Sequence, residues 1–206
     1  MHKKLFASIL LVALFMVSHG SLQAADKKVL LQDSFQTADP AWPLDYGTIK
    51  GGSLQLNLKK GGWGTSVYQG DVFQDMDMSA SVKIDVFPGK QIWGGGVIFA
   101  FSDYNNYYVY EVAGNGNYAV ARLKNGKWLN PVPWRTSELV KTGTGVTNVL
   151  RLVTSKDKAT MYLNGTEAVT VHVDMPDGGG KIGFYGNASD DGDSTWSFSD
   201  LKITEP

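Results

Sequence analysis

Strict alternation of apolar and polar residues recurs along this chain, while helical periodicity is nearly absent. From Ser79 to Val86, Ala80, Val82, Ile84 and Val86 point one way and Ser79, Ser81, Lys83 and Asp85 the other, the mark of a strand with one face on a core. Leu54 to Leu58 alternates similarly, as do Ala159, Met161 and Leu163 against Thr160 and Tyr162, and Val169, Val171 and Val173 against Thr170 and His172. Turn signals separate these runs. Asn164-Gly165 supplies the positive φ angles of a two-residue type I′ hairpin, and glycine clusters such as Gly94-Gly95-Gly96 punctuate the rest. Gly114 to Asn117 and Lys124 to Lys127 flank Tyr118 to Leu123, predicting a meander from about Asn106 to Trp128. One helical turn is predicted, over Thr136 to Val140, capped by Thr136 or Ser137. The closing run Leu201 to Thr204 is expected beside the first, Leu30 to Phe35. With no linker, repeat or low-complexity tract, the pattern predicts one all-β domain, an antiparallel two-sheet sandwich.

The first residues depart from this pattern. His2, Lys3 and Lys4 precede an apolar run from Leu5 to Val17 and a small-residue exit through Ala24 and Ala25, the organisation of a signal peptide. That run is about 13 residues, short of the roughly 20 that span a bilayer core. Residues 1–24 are therefore expected to be a leader and 25–206 the sandwich, released without membrane insertion into the periplasm or the extracellular space. The chain has no cysteine, so neither disulfides nor a lipid-modified cysteine contribute and packing carries the fold. Losing Lys3 and Lys4 with the leader would take the formal charge from −1 to two units lower. A mildly acidic chain without basic clusters is not built to neutralise the phosphates of a nucleic acid.

Several segments, taken in order, resemble a known superfamily: Asp33-Ser34-Phe35 with Trp42, Gly51 to Leu54, Asn106 to Val112, Gly126-Lys127-Trp128, Trp134 to Ser137, Tyr162 to Gly165, Lys181 to Phe184 and Phe198 to Ile203. The chain is similar to the concanavalin A-like lectin/glucanase superfamily, most of all to bacterial 3-keto-disaccharide hydrolase domains, called family-16-glycosidase-like, and their laminin-G-like relatives. That resemblance implies a concanavalin-like jelly roll across the mature chain, with a ligand on one concave sheet. Activity must be argued at a site, since one fold hosts many functions.

Retaining glycosidases use two nearby carboxylates, and the glucanases of this superfamily carry two glutamates around an aspartate on one strand. The four glutamates here, Glu111, Glu138, Glu167 and Glu205, lie far apart. Asp75 and Asp77 share a strand face, expected to be a solvated edge. His172 is the only histidine after leader removal, and nothing supplies a zinc-binding cluster, a serine elbow or a cysteine nucleophile. Asp190, Asp191 and Asp193 crowd one loop, where oxygen ligands could hold a structural calcium or simply face solvent.

Aromatic residues give the strongest positive signal, because flat rings stack on the C–H face of a sugar while a few polar groups fix its hydroxyls. Trp63 and Trp93 sit beside glycines, and Trp128 and Trp134 bracket Asn130 to Pro133. Tyr107, Val109 and Glu111 share one strand face. On the next strand Ala119, Ala121 and Leu123 suit the core, leaving Tyr118, Val120 and Arg122 to face outward with Glu111, as sugar contacts or as a cross-strand ion pair. The expected carbohydrate contacts are Glu111, Arg122, Tyr107, Trp128 and Trp134, and the expected partner is a glycan. The other readings are a 3-keto-glycoside hydrolase or lyase and an envelope interaction domain without a small ligand.

Overall fold

The computed structural model describes residues 27–86 and 93–206, and the expected leader lies outside the described residues. Fourteen strands are described in chain order: β1 (Val29–Asp33), β2 (Gly47–Ile49), β3 (Leu54–Leu58), β4 (Trp63–Val67), β5 (Met76–Val86), β6 (Gly95–Asp103) and β7 (Asn106–Ala113), then β8 (Asn117–Lys124), β9 (Lys127–Thr136), β10 (Thr147–Ser155), β11 (Lys158–Leu163), β12 (Thr166–His172), β13 (Lys181–Asn187) and β14 (Ser194–Thr204). They form two antiparallel sheets, and no helix occurs among the described residues. One sheet has eight strands in the order β12-β11-β10-β5-β14-β3-β2, with β1 also pairing β14; the other has six, β4-β13-β6-β7-β8-β9. This is the two-sheet sandwich the alternation predicts and the jelly roll the resemblance implies. No helix among the described residues is long and apolar enough to cross a membrane.

The local signals act as their chemistry requires. Asn164 and Gly165 have φ of 51° and 90° and join β11 to β12, where Leu163 pairs with Thr166. The terminal strands pair as expected, with Leu31 opposite Ile203 and Asp33 opposite Leu201. Of the run Thr136 to Val140, Thr136 closes β9 and the rest forms a turn rather than a helix: Leu139 N–H donates to Ser137 Oγ at 3.2 Å and Val140 N–H to the Ser137 carbonyl at 3.1 Å. Asp77 also departs from expectation. It lies on β5, an interior strand between β10 and β14, and binds the Arg151 guanidinium at 2.6 and 2.7 Å, so it is an ion-paired residue rather than part of a free edge.

The two sheets differ in their outer faces, and that difference locates the site. On β5 every second residue from Met76 to Ile84 is buried in the shared core while Asp77, Ser79, Ser81, Lys83 and Asp85 face out, so the eight-stranded sheet presents a polar surface. Strands β6, β7, β8 and β13 are buried along most of their length on both faces. Tyr108, Tyr110, Val112 and Phe184 enter the core between the sheets, whereas Val67, Ile98, Phe101, Tyr107, Val109, Leu123 and Tyr185 form a second apolar cluster on the outer side. An apolar outer face must be covered by its own large side chains.

Candidate functional site

Aromatic rings provide that cover in a connected strip. Trp63 stacks on Tyr185 with centroids 6.3 Å apart, Tyr185 meets Trp128 at 6.2 Å, Trp128 meets Tyr107 edge-on at 5.8 Å, and Tyr107 continues to Phe101 at 5.7 Å. Tyr107 and Tyr185 are buried supports. Trp63 and Trp128 ride above them, 51% and 47% exposed. Between these rings lies a hollow of about 290 Å³ lined by Trp63, Trp93, Trp128, Trp134, Tyr185, Glu111, Ala121, Asn130 and Asn187. Four of the six tryptophans in the chain meet there.

Strand register explains why the floor is low. Thr65, Tyr185, Gly96, Glu111 and Ala119 stand side by side across β4, β13, β6, β7 and β8, and the adjacent row carries Gly183, Ile98, Val109 and Ala121. Glycine and alanine leave room beneath the rings. The far wall comes from β9, an edge strand carrying Pro131 and Pro133, residues tolerated at edges and bulges because no ladder N–H is needed there. Two register shifts put Leu129, Val132 and Arg135 opposite Arg122, Val120 and Tyr118, leaving Trp128, Asn130 and Trp134 for the outer face.

The Gly94-Gly95-Gly96 run, which as sequence looks like turn punctuation, belongs largely to β6 and is set by close approach. A Cβ on Gly94 would meet the Glu111 carboxyl and, at 2.6 Å, the Trp134 ring; one on Gly95 would enter the Trp196 ring in the core. On Gly96 it would strike the Tyr110 carbonyl and lie 2.6 Å from the Glu111 Cα. Because those atoms are backbone in a paired strand, Gly96→Ala is expected to cost about 3 kcal/mol, the upper range for overpacking, seen as a lowered midpoint in urea unfolding.

Glu111 is the chemical centre of the hollow. It is 5% exposed and the only acidic or basic side chain buried among the described residues, and its Oε2 has no hydrogen-bond partner. Burial pushes its carboxyl up to about 8, because the charged form loses hydration. Tyr107, whose hydroxyl is also without a hydrogen-bond partner, is pushed up to about 12 by burial and then by Glu111. Tyr185 is raised for the same two reasons, and its hydroxyl accepts from Asn187 Nδ2 at 2.8 Å.

The structure thus gathers Glu111, Trp128 and Trp134 on one surface, with Tyr107 as a support beneath Trp128, and adds Trp63, Trp93 and Tyr185. Arg122 is a correction. Register pairs Glu111 with Ala119 and Arg122 with Tyr108, so the small set of β8 faces outward and Tyr118, Val120 and Arg122 face the other way. Arg122 binds Asp174 at 2.5 Å and lies 4.8 Å over the Tyr108 ring, as a strut between the sheets. Alternation gave the two sets of β8 but not their phase, and the alanines serve as the floor under a cleft rather than as core. The acidic loop is likewise not assembled: Asp193 accepts from Lys59 at 2.8 Å and from Lys60 N–H at 3.0 Å, and no three His, Asp or Glu among the described residues are placed to hold a metal. His172 is exposed, 3.2 Å from Asp157 and 3.5 Å from Asp174. A larger hollow of about 580 Å³ on the other sheet is lined by Lys27, Asp77, Arg151 and Lys202. There the Asp77 carboxylate is already held by Arg151 and Lys27, and none of the described residues lining the hollow carries a ring to receive an apolar ligand face.

No protein-family model and no curated protein matches the chain. Among solved structures it is similar to the carbohydrate-binding module CBM66 from Bacillus subtilis, at 15% identity and a TM-score of 0.63, covering 84% of this chain and 97% of that one. It is also similar to the carbohydrate recognition domain of Emp47p, at 13% identity and a TM-score of 0.64, covering 89% and 99%. A third likeness is to the GH43 protein BlXynB from Bacillus licheniformis, at 16% identity and a TM-score of 0.65 over 85% of this chain, which spans only 39% of that protein. At these identities the likeness shows the fold alone, an antiparallel two-sheet jelly roll.

Proposed function

We propose that this chain is an exported glycan-binding domain that seats a sugar in the tryptophan cleft on the outer face of its six-stranded sheet. The observation that carries the reading is the meeting of Trp63, Trp93, Trp128 and Trp134 over a floor of glycine and alanine, with Glu111 and Asn130 as sparse polar anchors. Aromatic rings stack on the apolar faces of hexoses, and few polar groups then fix the hydroxyls. Two similar structures, a carbohydrate-binding module and a carbohydrate recognition domain, support the same reading. Export rests on the leader-like first residues; amino-terminal sequencing of protein released from cells would find it beginning near Ala25.

Calorimetric titration with neutral hexasaccharides of glucose, xylose and mannose tests the reading. At least one is expected to bind, and Trp128→Ala is expected to weaken it by about 2 kcal/mol, roughly thirtyfold, as for a buried aromatic anchor. Its ring is half exposed in the free protein, so stability should shift by less than about 1 kcal/mol. Binding unaffected by Trp128→Ala would move the site elsewhere. A second reading, hydrolysis or elimination on a 3-keto-disaccharide, draws on the same buried Glu111 carboxyl as a proton carrier. Release of free sugar from that substrate, lost in Glu111→Ala, would favour it.

A further inference from the structure

We propose that the cleft takes an uncharged glycan and that Glu111 meets it as a neutral acid, donating a hydrogen bond from its carboxyl to an acceptor oxygen of the sugar. The proposal rests on the reading of the cleft as a sugar site and names what that site accepts. Its basis is geometric. The Oε2 atom is buried without a partner in a residue that lines the open hollow, and a buried polar atom left unmade is costly until something satisfies it. Among the described residues, the groups against it are uncharged on every side: Gly94 and Gly96 before and on β6, Ala119 on β8, Trp134 on β9, Tyr185 on β13, and Tyr107 on its own strand. No lysine or arginine is among the described residues that line the hollow.

An ionised carboxylate in that place would lose most of its hydration and meet no counter-ion among the described residues, so the proton stays on through neutral pH, in keeping with a carboxyl raised to about 8. A neutral carboxyl offers one donor and one acceptor, the complement of a hydroxyl beside a ring or glycosidic oxygen. A uronate or sulfated sugar would bring a negative charge to a pocket whose described lining holds no cation to balance it. The cleft therefore selects against acidic glycans, and binding weakens where Glu111 ionises.

Carboxyl carbon NMR on protein labelled at its four glutamates measures the protonation directly. One carboxyl is expected to titrate near pH 8 and to vanish in Glu111→Gln; four midpoints all below about 5, the ordinary carboxylate range, would overturn the proposal. Calorimetry from about pH 5 to about pH 10 measures the consequence, using cellohexaose, laminarihexaose, xylohexaose, mannohexaose and hexagalacturonate. Affinity for whichever neutral probe binds should be level to about pH 7 and then fall about tenfold per pH unit above the Glu111 midpoint. Hexagalacturonate should bind at least about tenfold more weakly. Glu111→Gln keeps a donor and should flatten the pH profile, while Glu111→Ala should lose about tenfold or more at pH 6. A profile that ignores the Glu111 midpoint, with Trp128→Ala still weakening binding roughly thirtyfold, overturns the donor role and leaves the sugar site standing. No binding by any probe overturns both.

Discussion

Replacing Glu111 with glutamine is expected to stabilise the protein at pH 7 by on the order of 3 kcal/mol, a large gain for one substitution. The folded-state carboxyl sits at about 8 and the unfolded one near 4.5, so between those values the folded chain holds a proton that the unfolded chain has released. Stability then falls as pH rises across that window. Below about pH 4.5 both states are protonated and the acid costs little more than an amide; above about pH 8 the penalty is complete. The advantage of Glu111→Gln should therefore be small at pH 4, grow through pH 7 and level off past pH 8. Urea unfolding of both proteins at matched pH measures it, and subtraction cancels the opposite contributions of depressed carboxyls such as Asp77, which Arg151 holds down. A constant gap between the two proteins at all pH values would mean that Glu111 is not raised. A group this costly to folding, left without a hydrogen-bond partner in a cleft, is the pattern of a residue kept for what it binds.

Trp196→Ala should have the opposite sign and a similar size, destabilising by about 3–5 kcal/mol. Its ring is 1% exposed, fits against Gly95 and Gly186, and donates from Nε1 to the Asn187 carbonyl at 2.9 Å. Removing it leaves a large cavity beneath β6 and β13, the strands that carry the cleft floor. For a domain of this size the melting temperature should drop by about 6–20 °C. The contrast with Trp128→Ala is informative because the chemical change is the same. One substitution should cost the fold, the other the ligand. Equal loss of stability in both would place Trp128 in the core and remove the argument for an open aromatic site.

The pattern that reveals the sandwich also limits what can be read of its site. Period-two alternation in β3, β5, β10 and β11 states which residues face the core, because those strands belong to a sheet with one wet face. In β6, β7 and β13 both faces are apolar, so alternation falls silent. That silence was the available signal for a covered outer face. Glu111 was legible as a lone acid in an apolar strand, and Trp128 and Trp134 as rings flanking a proline-rich edge. Trp63, Trp93 and Tyr185 were harder, since their meeting depends on β4 and β13 pairing across more than a hundred residues. The phase of β8 could not be taken from size alone: alanines suit a tight core and a cleft floor equally, and only register with β7 separates the two. The aspartate loop shows the same limit, because Lys59, distant in sequence, claims Asp193.

The six tryptophans allow the central claim to be tested without choosing a site in advance. Trp63, Trp93, Trp128 and Trp134 line the cleft, while Trp42 and Trp196 are buried in the core. Titrating indole-¹⁵N-labelled protein with the neutral hexasaccharides should move the four cleft signals together, saturably, and leave those of Trp42 and Trp196 in place. Saturable binding that leaves the cleft signals unmoved, or no response to any of the sugars, would contradict the account.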